Sequence, residues 1–159
     1  FLTSSVSRIG RRAAMKRCFL NMLALSAGFT FIYVLVQLVG VSVFVDMDIL
    51  ISKHFYQNMI FYYIAVFIIF SFGGVCYLLF YVITRLKIVS LLMAVAVNLY
   101  MVYYLKIDNL YFGLTVIDTM SLGGSVQAVI WFLKRVRDIA ITTGIYMLAD
   151  VVYEKRDIV

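Results

Sequence analysis

The sequence predicts an all-α integral membrane protein with about four transmembrane helices and a short C-terminal amphipathic helix. Of its 159 residues, 65% are hydrophobic and 14% are charged, whereas a soluble domain is about half apolar and a quarter charged. The stretch 55–83 contains no charge and no proline. At 1.5 Å of rise per residue, a helix of this length exceeds the roughly 30 Å of hydrocarbon in a bilayer. Membrane insertion is therefore the simplest explanation of the composition.

The N-terminal segment, residues 1–17, is strongly basic. It contains five Lys or Arg residues, several hydroxyl side chains and no acid. This composition is typical of a mitochondrial transit region, or of what remains of one after processing. The alternative is a bacterial N-terminal tail that follows the positive-inside rule.

The apolar stretches predict a transmembrane domain over 18–133, with spans at 18–45, 55–84, 88–105 and 110–132. The pair Gly73 and Gly74 thins the second span and is expected to contact a neighbouring helix or a lipid. A basic cluster at 134–138 is predicted to end the fourth span. Within the remainder, 134–159, the segment 139–153 is too short to cross and predicts an amphipathic helix in the interface or against a partner. One face of this helix is expected to carry Ile141, Ile145, Leu148 and Val152, and the opposite face Thr143, Tyr146, Asp150 and Tyr153.

The charges between the spans alternate in a way that predicts the orientation. The N-terminal segment carries +5, and the connectors after the first, second and third spans carry −1, +2 and 0, followed by +2 at 134–138. This pattern fits four crossings with both termini on the positive side. That side is the matrix if the protein belongs to the mitochondrial inner membrane, and the cytoplasm if it belongs to a bacterial inner membrane.

The fourth predicted span contains an ionisable residue, Asp118. At 100° per residue, a polar stripe is formed by Asp118 with Thr115, Ser121 and Ser125. Such a stripe faces protein or water and is a functional hypothesis, here a proton or ion ligand. The alternative is a shallow position near the outer interface, where Asp118 reaches water or an arginine of another subunit.

Basic residues are predicted to gather on one membrane face and to bind anionic headgroups such as those of cardiolipin. Each contributes about 1 kcal/mol near the surface, and the same residues set the topology. The predicted set comprises Arg8, Arg11, Arg12, Lys16, Arg17, Arg85, Lys87, Lys134, Arg135 and Arg137. Nucleic-acid binding is not expected, because a basic groove needs a soluble face.

No catalytic residue, metal site or cofactor is predicted. His54 is the single histidine, so two axial histidines for a haem are impossible within this chain, although a methionine could serve as one ligand. Local signatures of zinc, redox and nucleotide sites are absent from the sequence. Cys18 and Cys76 are expected to be free thiols. By helical rise, Cys76 should lie about 12–14 Å deeper than Cys18, which exceeds the roughly 7 Å that a disulfide allows.

These observations lead to an expected function by class rather than by motif. The sequence is typical of a structural, supernumerary subunit of an oxidative-phosphorylation complex, either a respiratory-chain complex or ATP synthase, in the mitochondrial inner membrane. Such a subunit is not an enzyme; it packs against core subunits and binds lipid. The alternative function is a small oligomeric ion or proton channel, or a carrier, that uses Asp118.

Overall fold

The computed structural model describes residues 10–52, 55–103 and 125–155, and all regular structure in these ranges is helical. Five helices follow one another: α1 (Arg11–Phe44), α2 (Met47–Ser52), α3 (Phe55–Thr84), α4 (Lys87–Tyr103) and α5 (Ser125–Lys155). The predicted all-α class is therefore confirmed. Helices also suit an apolar environment, because each segment satisfies its own backbone hydrogen bonds.

Two of the described helices are long and apolar enough to span a membrane. The qualifying segments are Ala13–Phe44 in α1 and Met59–Thr84 in α3. The apolar part of α4, Lys87–Tyr100, is shorter. Of the four predicted crossings, the structure thus supports two by length and composition, and most of the predicted span 110–132 lies outside the described residues.

Helix α3 is the centre of the bundle, since it packs against α1, α4 and α5. Helix α1 runs antiparallel to α3. Its C-terminal half contributes Val34 to a buried cluster that contains Met59 of α3. Near its start, Met15 packs with Val82, close to the end of α3. The uncharged stretch that first indicated a membrane protein is therefore also the helix on which the others assemble.

Two adjacent glycines let α1 and α4 approach α3 closely. A Cβ atom built on Gly74 would lie 2.5 Å from Sδ of Met22 in α1. A Cβ atom on Gly73 would lie 3.3 Å from Nδ2 of Asn98 in α4. The prediction that this pair contacts a neighbouring helix is confirmed, and it contacts two.

A tight turn reverses the chain between α3 and α4, as the sequence predicted. Arg85 has a φ of 60°, the left-handed conformation that commonly ends a helix, and its N–H donates to the carbonyl of Tyr81 at 2.9 Å. The hydroxyl groups of Thr84 and Ser90 are hydrogen-bonded to each other at 2.9 Å across the turn. These bonds join the end of α3 to the start of α4 and make the two helices antiparallel.

Helix α5 is one continuous helix of 31 residues. The predicted break between a span ending at 132 and a separate helix over 139–153 is therefore wrong. The basic cluster was interpreted as the membrane surface, where a helix would stop. However, 134–138 contains neither glycine nor proline, and its one carboxylate pairs with two of its arginines within a turn.

Helix α5 runs alongside α3 and in the same direction. Near its start, the rings of Trp131 and Phe61 meet edge-to-face, with their centroids 5.3 Å apart. Near its end, Ala149 and Tyr153 pack with Val82. Of the predicted apolar face of 139–153, Ile141, Ile145 and Val152 pack against buried clusters, whereas Leu148 is 58% exposed. Tyr153, predicted on the opposite face, is buried as well.

The glycine contact gives a testable prediction. Gly74→Leu should lower the thermal unfolding midpoint in detergent, because the new side chain displaces Met22; overpacking of this kind typically costs about 1–3 kcal/mol. Gly28→Leu is the matched control, since a Cβ atom there has no neighbour within 4 Å. Equal midpoints for the two variants would show that α1 does not pack on Gly74.

Candidate functional site

Three charged residues of α5 form an ion group. Arg137 donates to Oδ1 of Asp138 from Nε at 3.0 Å and from Nη2 at 2.8 Å. Nη2 of Arg135 lies 3.3 Å from Oδ2 of the same carboxylate. One carboxylate is thus shared by two guanidinium groups of the same helix.

The ion group is largely hidden from the surface of the molecule. Asp138 is 0% exposed and Arg135 is 4% exposed, whereas the side chain of Arg137 is 29% exposed. The guanidinium of Arg135 also lies 5.8 Å from the centre of the Trp131 ring, within the range of a cation–π contact. Burying charges costs several kcal/mol per ion unless they are paired, so the pairing is a condition of this packing.

Several buried polar atoms around the ion group have no hydrogen-bond partner among the described residues. They are Nε and Nη1 of Arg135, Nε1 of Trp131, and Oδ2 of Asp138, whose contact with Arg135 is an ion pair without hydrogen-bond geometry. Buried polar groups in native proteins are nearly always satisfied. These atoms therefore mark the most polar point of the α3–α5 contact.

The depth of the ion group follows from the pairing of α5 with α3. Arg135 and Asp138 lie four and seven residues after Trp131, which contacts Phe61, so they are level with about residues 65–68 of α3. By helical rise this is roughly 9–14 Å inside the Met59 end of the candidate span. If α3 crosses a bilayer, the ion group lies within the hydrocarbon.

This position separates the ion group from the other basic residues. Lys16, Arg17, Arg85 and Lys87 are at the opposite end of α3, where Met15 meets Val82. Ala149 of α5 packs at that same end, with Met15 and Val82. Arg135 lies 14 residues before Ala149, which is roughly 21 Å along the helix. The expectation that Lys134, Arg135 and Arg137 share one membrane face with the other basic residues does not hold for this packing.

The remaining predicted site residues are only partly described. Asp118, Thr115 and Ser121 lie outside the described residues, as does Arg8, while Ser125 is the first residue of α5. Arg11 and Arg12 belong to the first turn of α1. The predicted polar stripe around Asp118 therefore stays a prediction.

The sequence contained a signal for the α5 contact that we did not use. The positions Trp131, Arg135, Asp138, Thr142, Ala149 and Tyr153 recur at helical spacing and lie on one side of α5. Three of them, Arg135, Asp138 and Thr142, are polar or charged. A search for apolar periodicity alone passes over such a stripe.

A second feature is an apolar groove of about 760 Å³ between α1, α3 and α4. Its lining includes Leu25 of α1, Gly73 and Gly74 of α3, and Leu91 and Asn98 of α4. The amide of Asn98 donates to the carbonyl of Ala94 at 2.8 Å, so one of its donors is satisfied within α4. The groove is thus an apolar site with few polar groups.

Both cysteines are free thiols, as predicted, but the depth argument was wrong. Cys18 lines the groove together with Tyr77 and Leu78, so it is level with the residues next to Cys76 rather than about 12–14 Å away. The reason is that α1 begins at Arg11, so its first turns extend beyond the predicted start of the span.

Within the described ranges, no three His, Cys, Asp or Glu side chains are close enough together to hold a metal ion. No protein-family model, curated protein or solved structure matches the chain. Functional inference therefore depends on the ion group and the groove.

The ion group gives a prediction about stability. Asp138→Leu should lower the unfolding midpoint strongly, by the equivalent of about 3–5 kcal/mol, because it leaves Arg135 buried without a counter-ion. The double variant Arg135→Met with Asp138→Leu should recover much of this loss, since no buried charge remains. Asp150→Leu, on the same helix but only partly buried, is the control. A double variant as unstable as Asp138→Leu alone would contradict the ion-pair interpretation.

A second prediction concerns depth. A spin label at Val136→Cys, an exposed position between the two arginines, should be more accessible to oxygen than to a water-soluble nickel complex in lipid vesicles. Lys155→Cys, at the end of α5, should show the opposite preference. Both labels are placed on a background in which Cys18 and Cys76 are replaced by alanine. Water-like accessibility at Val136 would place the middle of α5 in the interface, as the sequence first suggested.

Proposed function

We propose that this chain is a structural, non-catalytic subunit of an oxidative-phosphorylation complex, either a respiratory-chain complex or ATP synthase, in the mitochondrial inner membrane. The observation that carries the proposal is the partly exposed side chain of Arg137, the outermost member of the ion group, on a largely apolar outer surface of α5. The proposal has three parts, which are the membrane location, the association with other subunits and the compartment.

The membrane location is supported by the outer face of α1. Large apolar side chains on this face have more than half of their surface exposed; they include Phe29, Ile32, Val36 and Val43. A contiguous apolar surface of this kind on a protein marks a membrane or protein contact. Since these side chains extend over the C-terminal half of the candidate span Ala13–Phe44, lipid is the environment that fits this surface best.

Association with other subunits is supported by Arg137. Its side chain is 29% exposed, and the neighbouring outward side chains Phe132, Leu133 and Val136 are apolar. A charged group inside a membrane faces protein or water rather than lipid. The exposed part of this side chain therefore makes the outer face of α5 a site for a polar group of an adjacent subunit.

The compartment is supported by composition and by topology. The first 17 residues are rich in arginine and lack acids, as mitochondrial transit regions are. The start of α1 and the end of α5 lie at the same end of the bundle, where Met15 and Tyr153 share a cluster. Both observations agree with termini on one positive side, which we assign to the matrix.

The basic end of the bundle is also where we place the lipid contacts of the proposed subunit. Lys16, Arg17, Arg85 and Lys87 are exposed there. In the inner membrane, the anionic phospholipid that they would meet is cardiolipin.

A second candidate function is a small oligomeric channel or carrier. It was first suggested by Asp118, and the unsatisfied polar atoms around Arg135 and Asp138 are the structural observation in its favour. A conduction path needs polar groups inside the membrane, and this cluster supplies some. A carrier would form a small oligomer rather than part of a large assembly.

Native gel electrophoresis of mildly solubilised membranes, with mass spectrometry of the band, tests the proposal. We expect the chain in a band much larger than its own 18.2 kDa, together with respiratory-chain or ATP-synthase subunits. Arg137→Met should weaken this association. In the variant, Asp138 still pairs with Arg135, so the packing of α5 is retained, whereas the partner subunit loses its contact with the charge of Arg137. Lys16→Met, at the far end of the bundle, is the control and should not.

A band containing only one or a few copies of this chain would contradict the subunit proposal. In that case, ion flux into vesicles by the purified chain would identify the channel or carrier.

A further inference from the structure

We propose that the groove between α1, α3 and α4 holds one acyl chain of an anionic phospholipid, whose phosphate is bound at the groove mouth by Lys87 and Arg17. The inference rests on the membrane location in the proposed function, but it does not depend on which complex the chain joins. The occupant follows from the shape of the groove, the chemistry of its walls and the charges at its mouth.

The groove is elongated along the helices. Its wall on α4 extends from Leu91 to Leu99, which is about 12 Å by helical rise, and its wall on α1 extends from Cys18 to Leu25. Its floor is formed in part by Gly73 and Gly74, which have no side chains to fill it. The volume of about 760 Å³ is within the range of roughly 300–1,000 Å³ for small-molecule sites. An elongated apolar site parallel to the helix axes fits a hydrocarbon chain.

The walls carry few polar groups. Most lining residues are aliphatic or aromatic, and the side-chain amides present are those of Asn21 and Asn98. Asn98 already donates to Ala94 within its own helix. A polar or charged ligand would leave most of its hydrogen-bonding groups unsatisfied here, whereas an acyl chain has none.

Basic residues lie at one end of the groove. Lys87 is one helical turn before Leu91, on the side of α4 that lines the groove, and Arg17 is one turn before Asn21 on α1. Both side chains are exposed. Their charges are therefore at the mouth, where the headgroup of a lipid in the groove would lie.

Two further observations favour an anionic headgroup. Tyr81 stacks on the groove residue Tyr77, with ring centroids 6.0 Å apart, and tyrosines commonly lie at the headgroup level. The described acidic residues of this end, Asp150 and Glu154, belong to α5, and α5 lines no part of the groove. The net charge facing the headgroup is therefore positive.

Photo-crosslinking of the purified full chain in lipid nanodiscs tests the inference. The probes are a phosphatidylglycerol and a phosphatidylcholine with the same acyl chains, each carrying a diazirine on one chain. We expect the anionic probe to label the groove segments 18–25 and 91–99 in preference to the outer face of α1. Equal labelling of both surfaces would mean that the groove holds only bulk lipid, and would overturn the proposal.

Filling the groove supplies a matched pair of variants. Leu91→Trp places a larger side chain in the groove, whereas Leu92→Trp is on the same helix outside the lining; both leucines are exposed, at 57% and 64%. We expect the first variant to reduce labelling of segment 18–25 several-fold and the second to leave it unchanged. Loss of labelling in both, or in neither, would contradict an acyl chain in this groove.

Neutralising the mouth tests the headgroup. Lys87→Gln and Arg17→Gln should each reduce the preference for the anionic probe by about fivefold, as expected for one basic residue near a membrane surface. Lys155→Gln is the control, because Lys155 is exposed at the same end of the bundle but belongs to α5, which lines no part of the groove. A preference that survives both substitutions would exclude the phosphate contact. If the groove segments are labelled in the purified chain but not when the chain is part of a larger assembly, a partner subunit occupies the groove instead.

Discussion

The fold depends on the close packing of three long helices on α3. Gly73 and Gly74 make this possible, because they let Asn98 of α4 and Met22 of α1 approach where any side chain would hold them apart. In a membrane, helices are not driven together by exclusion of apolar surface from water, so close van der Waals contact supplies much of the association energy. The same two glycines also line the groove, beside these contacts.

The α3–α5 contact follows a different principle. It buries a carboxylate and a guanidinium, and such pairs often stabilise no more than apolar side chains of similar volume. Their value is specificity: Arg135 and Asp138 have to pack against a surface that tolerates them, so the register of α5 on α3 is restricted. The cost of sliding α5 by one turn includes the exposure of this pair to an apolar environment.

Features that are determined by residues adjacent in sequence were predicted better than features that are determined by how the helices align against one another. The absence of charge defines α3 as Phe55–Thr84, and the basic pair Arg85 and Lys87 marks the turn; both agree with the structure. The cluster at 134–138 misled the prediction, because clustered charges are far more often at a membrane surface than inside a helix contact. The groove was beyond prediction, since its walls come from three helices whose relative rotation no single-helix pattern determines.

The interrupted hydrophobicity of α5 also bears on how the chain is made. A translocation channel releases helices into lipid according to their own apolarity, and each Lys, Arg or Asp near the centre of a helix opposes release by about 2.5–3.5 kcal/mol. Residues 134–138 contain four such groups. Helix α5 is therefore a poor candidate for independent insertion, whereas α1 and α3 are good ones. If the chain is inserted into a membrane in this way, its earlier helices enter first, and α5 follows by docking its charged stripe against α3.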